Sequence, residues 1–184
     1  MGTIGVHEFI SLDGVFETPS WTMDFGFDPR MGETLAAITS PATAILLGRT
    51  TFEMFAPAWS ARTADDDPGA PFFNDTTKHV VSSTLTDPAS VWGSSVAFGP
   101  YDADRVRALK DETDGSIYVS GSGTLVRALL ADGLVDHLHL FVYPVALGEG
   151  KRLFTEGMPR TTLALQDSTT YNNGVVHLDY GPSR

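Results

Sequence analysis

Cysteine is absent from the 184 residues of this chain. That one gap removes disulfides, thiolate nucleophiles and cysteine-ligated zinc together, and it fits a reducing compartment, so a cytoplasmic protein is expected. Basic residues are scarce: 12 Lys and Arg stand against 23 Asp and Glu, for a net charge of -11. A general nucleic-acid binder needs clustered Lys and Arg, so none is expected here. Any anion must be held by a few local donors against an unfavourable overall field. Long apolar runs are missing as well. No stretch of about 18 apolar residues occurs, so no membrane span is expected. The N-terminus leads straight into a strand-like pattern, which predicts no signal peptide. What is present, 42% hydrophobic residues over residues 1–184, suffices for a single domain with a full core.

Alternation and punctuation divide the chain. Residues 3–10 read as a first strand that ends at Ser11-Leu12-Asp13-Gly14. Residues 15–27 carry Phe16, Pro19, Trp21, Phe25 and Phe27, show no helical period, and read as a loop over a pocket. Asp28 suits an N-cap and Pro29 a first helical turn, which predicts a helix to about Thr39. A strand at 43–47 and a helix from 49 to about 56 follow. Residues 57–76, with Pro57, Pro68, Pro71 and three consecutive aspartates, read as a solvated excursion. Further strands are predicted at 78–82, 94–98, 116–120 and 137–145, with helices at 102–111 and 125–131, the second capped by Gly133. Two last strands, 161–171 and 175–180, flank Asn172-Asn173-Gly174, a strong hairpin signal. Strands alternating with helices and closed by an antiparallel hairpin imply an α/β domain with a mixed sheet.

Three strand ends carry chemistry. The apolar strand before Gly48-Arg49-Thr50-Thr51 runs directly into a helix. A helix N-terminus presents unpaired N–H groups and a positive partial charge, a seat for a phosphate. Arg49 adds a planar fork of donors and the threonines add hydroxyls. An ordinary strand-to-helix turn with a surface arginine is the plainer alternative. The strand at 78–82 ends in Ser82-Ser83-Thr84, hydroxyls able to hold a phosphate or ribose. The strand at 116–120 ends in Gly121-Ser122-Gly123-Thr124 before a helix. It is not a dinucleotide fingerprint, because Val126 stands where a third glycine would. Parallel sheets collect ligands at the carboxyl ends of their strands, so three polar ends suit a dinucleotide.

These segments, together with Ser11–Gly14, Leu47–Glu53, Lys78–Ser83 and the long run from Tyr118 to Phe154, resemble the dihydrofolate-reductase-like superfamily. Within it, the chain is similar to the reductase domain of bacterial riboflavin biosynthesis, the RibD C-terminal domain, as a stand-alone member. The similarity covers nearly the whole chain. It implies a three-layer α/β fold: a mixed, mostly parallel sheet, helices on both faces and an antiparallel C-terminal hairpin. It also implies NADPH. Gly48, Arg49, Thr50 and Thr51 would hold the pyrophosphate and the region of the 2′-phosphate, and Ser82 and Ser83 the 2′-phosphate side. Gly121, Ser122, Gly123, Thr124 and Leu125 would hold the pyrophosphate at the second helix. Asp13 and Gly14 would border nicotinamide and substrate. Trp21 would line the substrate pocket, with a plain loop anchor as the alternative.

Dihydrofolate reductases hold the pterin with a helix carboxylate a few residues after a tryptophan. The spacing after Trp21 does not match, and Asp24, Asp28 and Glu33 compete for that role. Asp28 suits a helix cap, which leaves Glu33 first and Asp24 second. Asp13 and Glu33 are thus the expected catalytic acids, and Asp24 a substrate contact. The implied activity is hydride transfer to a C=N or C=O bond of a small heterocycle, nearest to 5-amino-6-(5-phosphoribosylamino)uracil reductase. A dihydrofolate-type or general carbonyl or imine reductase comes next, and a nucleotide-binding module without catalysis is the alternative from another class. Relatives are commonly dimers, so a homodimer is expected by analogy. His137 and His139 lie two apart on one strand face and could ligate a metal, but the sequence offers no third ligand, so no metal site is expected. His7 reads as a core-edge histidine. Lys151-Arg152 reads as a solvated basic turn, with a substrate phosphate as the alternative.

Overall fold

The computed structural model describes residues 1–183. Eight strands form one sheet: β1 (Thr3–Ser11), β2 (Ala42–Gly48), β3 (Thr77–Val81), β4 (Ser95–Gly99), β5 (Ser116–Ser120), β6 (His137–Tyr143), β7 (Leu163–Thr170) and β8 (Val176–Pro182). Their order is β4-β3-β2-β5-β1-β6-β8-β7. β1 to β6 run parallel to one another, while β8 is antiparallel to β6 and to β7. Five α-helices cross over the sheet: α1 (Pro29–Thr39), α2 (Arg49–Trp59), α3 (Ala70–Asp75), α4 (Ala103–Glu112) and α5 (Gly123–Ala131).

Side-chain alternation along the strands decides the layers. Ile4, Val6, Leu46, Ile117, Val119, Leu138 and Leu140 form one buried cluster with Val106 of α4 and Leu125, Val126 and Leu129 of α5. Their odd-numbered neighbours on β2, Ile45 and Leu47, pack with Phe52 and Ala56 of α2 and Phe73 of α3. Phe141 and Tyr143 pack with Met31 of α1. The result is the three-layer, dihydrofolate-reductase-like architecture, with α4 and α5 on one face and α1, α2 and α3 on the other. Asp28 caps α1 by accepting from the Arg30 N–H at 3.0 Å, and its other oxygen accepts from the Asn172 N–H at 2.9 Å, tying the helix to the hairpin turn. Among the described residues, no helix is long and apolar enough to cross a membrane.

Two segments differ from the sequence reading. Residues 57–76 are not a solvated excursion throughout: α2 continues to Trp59, and α3 buries Ala70 and Phe73. Proline density and the Asp65–Asp67 run mask a local apolar cluster, in which the Phe73 ring stacks on Trp59 at 4.2 Å. The loop at 15–27 contains a short 3₁₀ turn, Pro19–Phe25. Trp21 and Phe25 meet the Tyr143 ring edge-on at 5.4 and 5.6 Å, so they anchor the loop to the core, while Phe16 and Phe27 face the cleft.

Lys78 is fully buried. Its ammonium donates to the carbonyls of Phe73, Asn74 and Thr76 at 2.8, 3.1 and 2.9 Å and lies 4.5 Å over the Trp92 ring. It therefore satisfies the carbonyl end of α3, where a cation is favoured. Lys78→Met should cost about 2–4 kcal/mol by leaving those carbonyls without a donor, read as a midpoint lower by roughly 5–10 °C in thermal unfolding.

Candidate active site

A cleft of about 1790 Å³ opens where β5 stops. β5 ends at Ser120, opposite His7 of β1, and its pairing with β2 ends at Ile45 and Tyr118. Beyond those residues β1 and β2 run on, to Ser11 and Gly48, with no strand between them. The gap lies at the carboxyl ends of parallel strands, where such sheets bind ligands. Its volume exceeds the roughly 300–1,000 Å³ common for a single small ligand, so there is room for two.

Two strand-to-helix turns face each other across this gap. The Gly48 N–H donates to the Ser122 hydroxyl at 2.8 Å, which ties the N-terminus of α2 to that of α5. Ser122 holds a left-handed φ of 61° to make that contact, and Gly121 before it has φ 59°. A Cβ on Gly121 would fall 2.9 Å from Thr51 Oγ1. Glycine there is what lets the two helix starts converge. Of the residues expected to hold a cofactor, Gly48, Arg49, Thr50, Thr51, Gly121, Ser122, Gly123, Thr124 and Leu125 all line the cleft.

Ser82 and Ser83 do not line it. The Ser82 hydroxyl accepts from the N–H groups of Thr84 and Leu85 and shapes the turn after β3. That turn still reaches the site through Thr84, whose hydroxyl accepts from the Arg49 guanidinium at 2.7 Å. The other side of that guanidinium meets Glu53 at 2.7 Å. Cations are gathered locally despite the acidic chain: Arg49, Arg127, Lys151 and Arg152 all border the cleft. Lys151 pairs with Glu17 and Arg152 with Asp13. Arg127, in the first turns of α5, has no carboxylate partner among the described residues and donates to the Arg152 and Leu153 carbonyls at 3.3 Å.

The acids singled out from sequence lie elsewhere. Asp13 takes a hydrogen bond from the Ser11 hydroxyl at 2.7 Å and from the N–H groups of Leu147 and Gly148 at 3.0 and 2.8 Å. These donors, the hydroxyl first, hold its carboxyl well below the usual range. It pins the 146–152 loop to the end of β1 as a permanent anion. Gly14 stands beside it with φ 86°, outside the cleft lining, as do Trp21, Asp24 and Glu33. Asp24 and Glu33 are exposed. The α1 face that does reach the cleft consists of Gly32, Leu35, Ala36 and Thr39, without a carboxylate.

An acid that sequence reading passed over sits in the gap itself. Glu8 is 3% exposed, lines the cleft, and its Oε1 has no hydrogen-bond partner. Burial pushes its pKa up to about 8, opposed only by the nearby Gly121 N–H, so it carries a proton at neutral pH. On the other face of β1, His7 Nδ1 lies 2.8 Å from the Tyr118 hydroxyl, and its Nε2 is likewise buried without a partner. Burial first, then the nearby His139 and His177, push its pKa down to about 3, which keeps it neutral. These are the two buried side-chain polar atoms left unsatisfied among the described residues. Unsatisfied buried groups are costly, and their concentration at one cleft marks a place built for a ligand. Alternation along residues 3–10 puts Glu8 on the same face as Ile4, Val6 and Ile10, a polar residue in an apolar row, and that is the signal that could have found it.

A dihydrofolate reductase from Enterococcus faecalis in complex with NADP(H) and RAB-propyl superposes with a TM-score of 0.64 at 13% identity, over 100% of this chain and 98% of that one. A Shewanella sp. PV-4 protein provisionally assigned to riboflavin biosynthesis gives a TM-score of 0.81 at 19% identity, with both chains fully covered. A bifunctional diaminohydroxyphosphoribosylaminopyrimidine deaminase/5-amino-6-(5-phosphoribosylamino)uracil reductase from Thermotoga maritima gives 0.69 at 12% identity, over 99% of this chain and 57% of that one. At these identities the likeness is one of fold. The family is decided by the sequence model of the RibD C-terminal domain, which matches residues 3–177. This chain belongs to the RibD C-terminal domain family.

Proposed function

We propose that the chain is an NADPH-dependent reductase acting on a small, flat heterocycle of the 5-amino-6-(5-phosphoribosylamino)uracil type. The observation that carries this reading is the pairing of two helix N-termini, tied by the Gly48–Ser122 bond, with a buried, protonated carboxyl in the same cleft. The donor set fits a dinucleotide diphosphate: backbone N–H groups at two helix starts, the Thr50 and Thr51 hydroxyls, and the guanidinium of Arg127. Arg49, held against Thr84, suits a 2′-phosphate at the outer edge. When bound, the cofactor would supply the hydride. Glu8 would hold the proton that must accompany it and deliver it from Oε1, the atom with no partner in the protein. His7, fixed by Tyr118, would orient a polar edge of the acceptor, and Phe16 and Phe27 would exclude water.

The absence of a carboxylate on the cleft face of α1 counts against a pterin held in the dihydrofolate-reductase manner. It leaves a pyrimidine or a general imine or carbonyl acceptor. Thermal unfolding with each nicotinamide cofactor tests the reading. Saturation at about 100 times Kd adds about 2.7 kcal/mol, and the shift should be clearly larger with NADPH than with NADH. No shift with either would remove the cofactor site. Arg49→Ala should weaken NADPH roughly 10- to 100-fold, the loss of one charge-assisted contact, and leave NADH nearly unchanged. Turnover is then read as NADPH oxidation in the presence of the phosphoribosylaminouracil, against no oxidation without it.

A further inference from the structure

Outside the cleft, the largest concentration of ligand-type side chains lies on the β6–β8 pair. His137 and His139 share one face of β6, and the antiparallel register places Asp179 of β8 directly opposite His139. The third group that the sequence pattern lacked is therefore supplied from the far side of the hairpin. Ligand atoms of His137, His139 and Asp179 lie within 4.8 Å of one another. The two imidazoles are parallel to within 3°, with centroids 5.7 Å apart. Asp179 Oδ2 is 3.1 Å from His137 Nδ1, and its Oδ1 is 3.7 Å from His139 Nδ1. His177, from β8, brings its Nε2 to 3.1 Å from His139 Nδ1.

A positive charge is what this cluster lacks among the described residues. The Asp179 side chain is 13% exposed, yet no Lys or Arg pairs with it among the described residues. Asp167 of β7 stands opposite it in register, adding a second acid. A nearly buried carboxylate with no Lys or Arg beside it calls for a cation. The His137 side chain, 40% exposed, leaves a way in.

We propose that His137, His139 and Asp179 form a binding site for a borderline divalent cation of the zinc or nickel type. Two imidazoles and one carboxylate match that class; calcium and magnesium prefer all-oxygen sets, and thiolate-seeking metals find no sulfur ligand here. Its ligands come from both strands, so the ion fastens the C-terminal hairpin to β6. The site is separate from the proposed reductase chemistry and does not depend on it.

The test uses tag-free protein stripped with EDTA, titrated with zinc, nickel and magnesium chlorides by calorimetry and followed by thermal unfolding. One zinc per chain should bind, and a concentration about a hundred times Kd should raise the midpoint by roughly 5–10 °C, with magnesium without effect. His137→Gln and Asp179→Asn should each weaken zinc at least about tenfold. The half-exposed His137→Gln variant should keep the unfolding midpoint of the stripped wild type, which separates lost ligation from lost folding. Absence of saturable zinc binding, or zinc binding that His137→Gln retains, overturns the site. Because the readout is metal binding, it stands or falls apart from any result with NADPH.

Discussion

Glu8→Gln should lower turnover by about 10²- to 10⁴-fold, the range lost with a positioned proton donor, while NADPH binding stays intact. The glutamine matches the carboxyl in size and neutrality but has no proton to give. The pH dependence provides the second readout. With a pKa raised to about 8 by burial, Glu8 donates below that value, so the wild-type rate should fall as pH rises through about 8, and the residual rate of the variant should lack that limb. The same carboxyl makes stability fall with rising pH as well, so the variant should gain stability where it loses activity. An unfolded glutamate ionises near 4.5, whereas the folded one keeps its proton to about 8. Between those values the unfolded chain releases a proton that the folded chain retains, so wild-type stability falls as pH rises. At neutral pH the penalty is on the order of 3 kcal/mol. The glutamine variant escapes it: its midpoint should match wild type near pH 4 and exceed it increasingly up to pH 8. A variant that still turns over at the wild-type rate would assign the proton to water.

The second large effect is expected at Gly121. Gly121→Ala should abolish detectable cofactor binding, at least about a hundredfold weaker, for two reasons that can be separated. The residue has φ 59°, a region in which a side chain is strained by roughly 1–2 kcal/mol. Its new methyl would also meet Thr51 Oγ1 at 2.9 Å and Cγ2 at 3.1 Å, which drives the start of α2 away from that of α5. Gly133 supplies the control. It has φ 64°, but a Cβ there meets nothing within 4 Å. Gly133→Ala should therefore show the strain alone, a slightly lower midpoint with normal NADPH affinity. If both variants bound equally well, the convergence of the two helix starts would not be what holds the diphosphate.

Much of the site's frame could be read from the chain because its signals are local. Gly48 and the Gly121–Gly123 segment each break an apolar strand and open a helix, and both turns stand where that grammar puts them. Asp28 caps its helix because capping depends only on the next few residues. What escaped was non-local. Glu8 shares the Ile4, Val6 and Ile10 face of β1, but its closure from solvent follows from β1 lying between β5 and β6, more than a hundred residues away in sequence. Arg127 looks like a surface arginine until the chain at Arg152 and Leu153 folds against it. Asp24 and Glu33 followed from a family analogy whose spacing after Trp21 this chain does not keep, and the observed cleft draws its α1 face from other residues. His137 and His139 lacked a third partner because it comes from 40 positions downstream of His139, across an antiparallel pairing that only the hairpin creates.

The place of β1 in the sheet also governs the order in which the molecule can be made. β1 leaves the ribosome before every other strand of this sheet, yet its two neighbours are residues 116–120 and 137–143. At roughly 5–20 residues per second, it waits on the order of ten seconds for β6, while β2, β3 and β4 can pair among themselves. Contacts of such long sequence separation are slow to form, so refolding in milliseconds to seconds is expected. The nascent chain must meanwhile keep an apolar, unpaired ribbon from joining the wrong edge. An ionised Glu8 in the middle of that ribbon, charged as long as it stays in water, is suited to discourage such pairing, and it surrenders its charge only when the correct neighbours close around it.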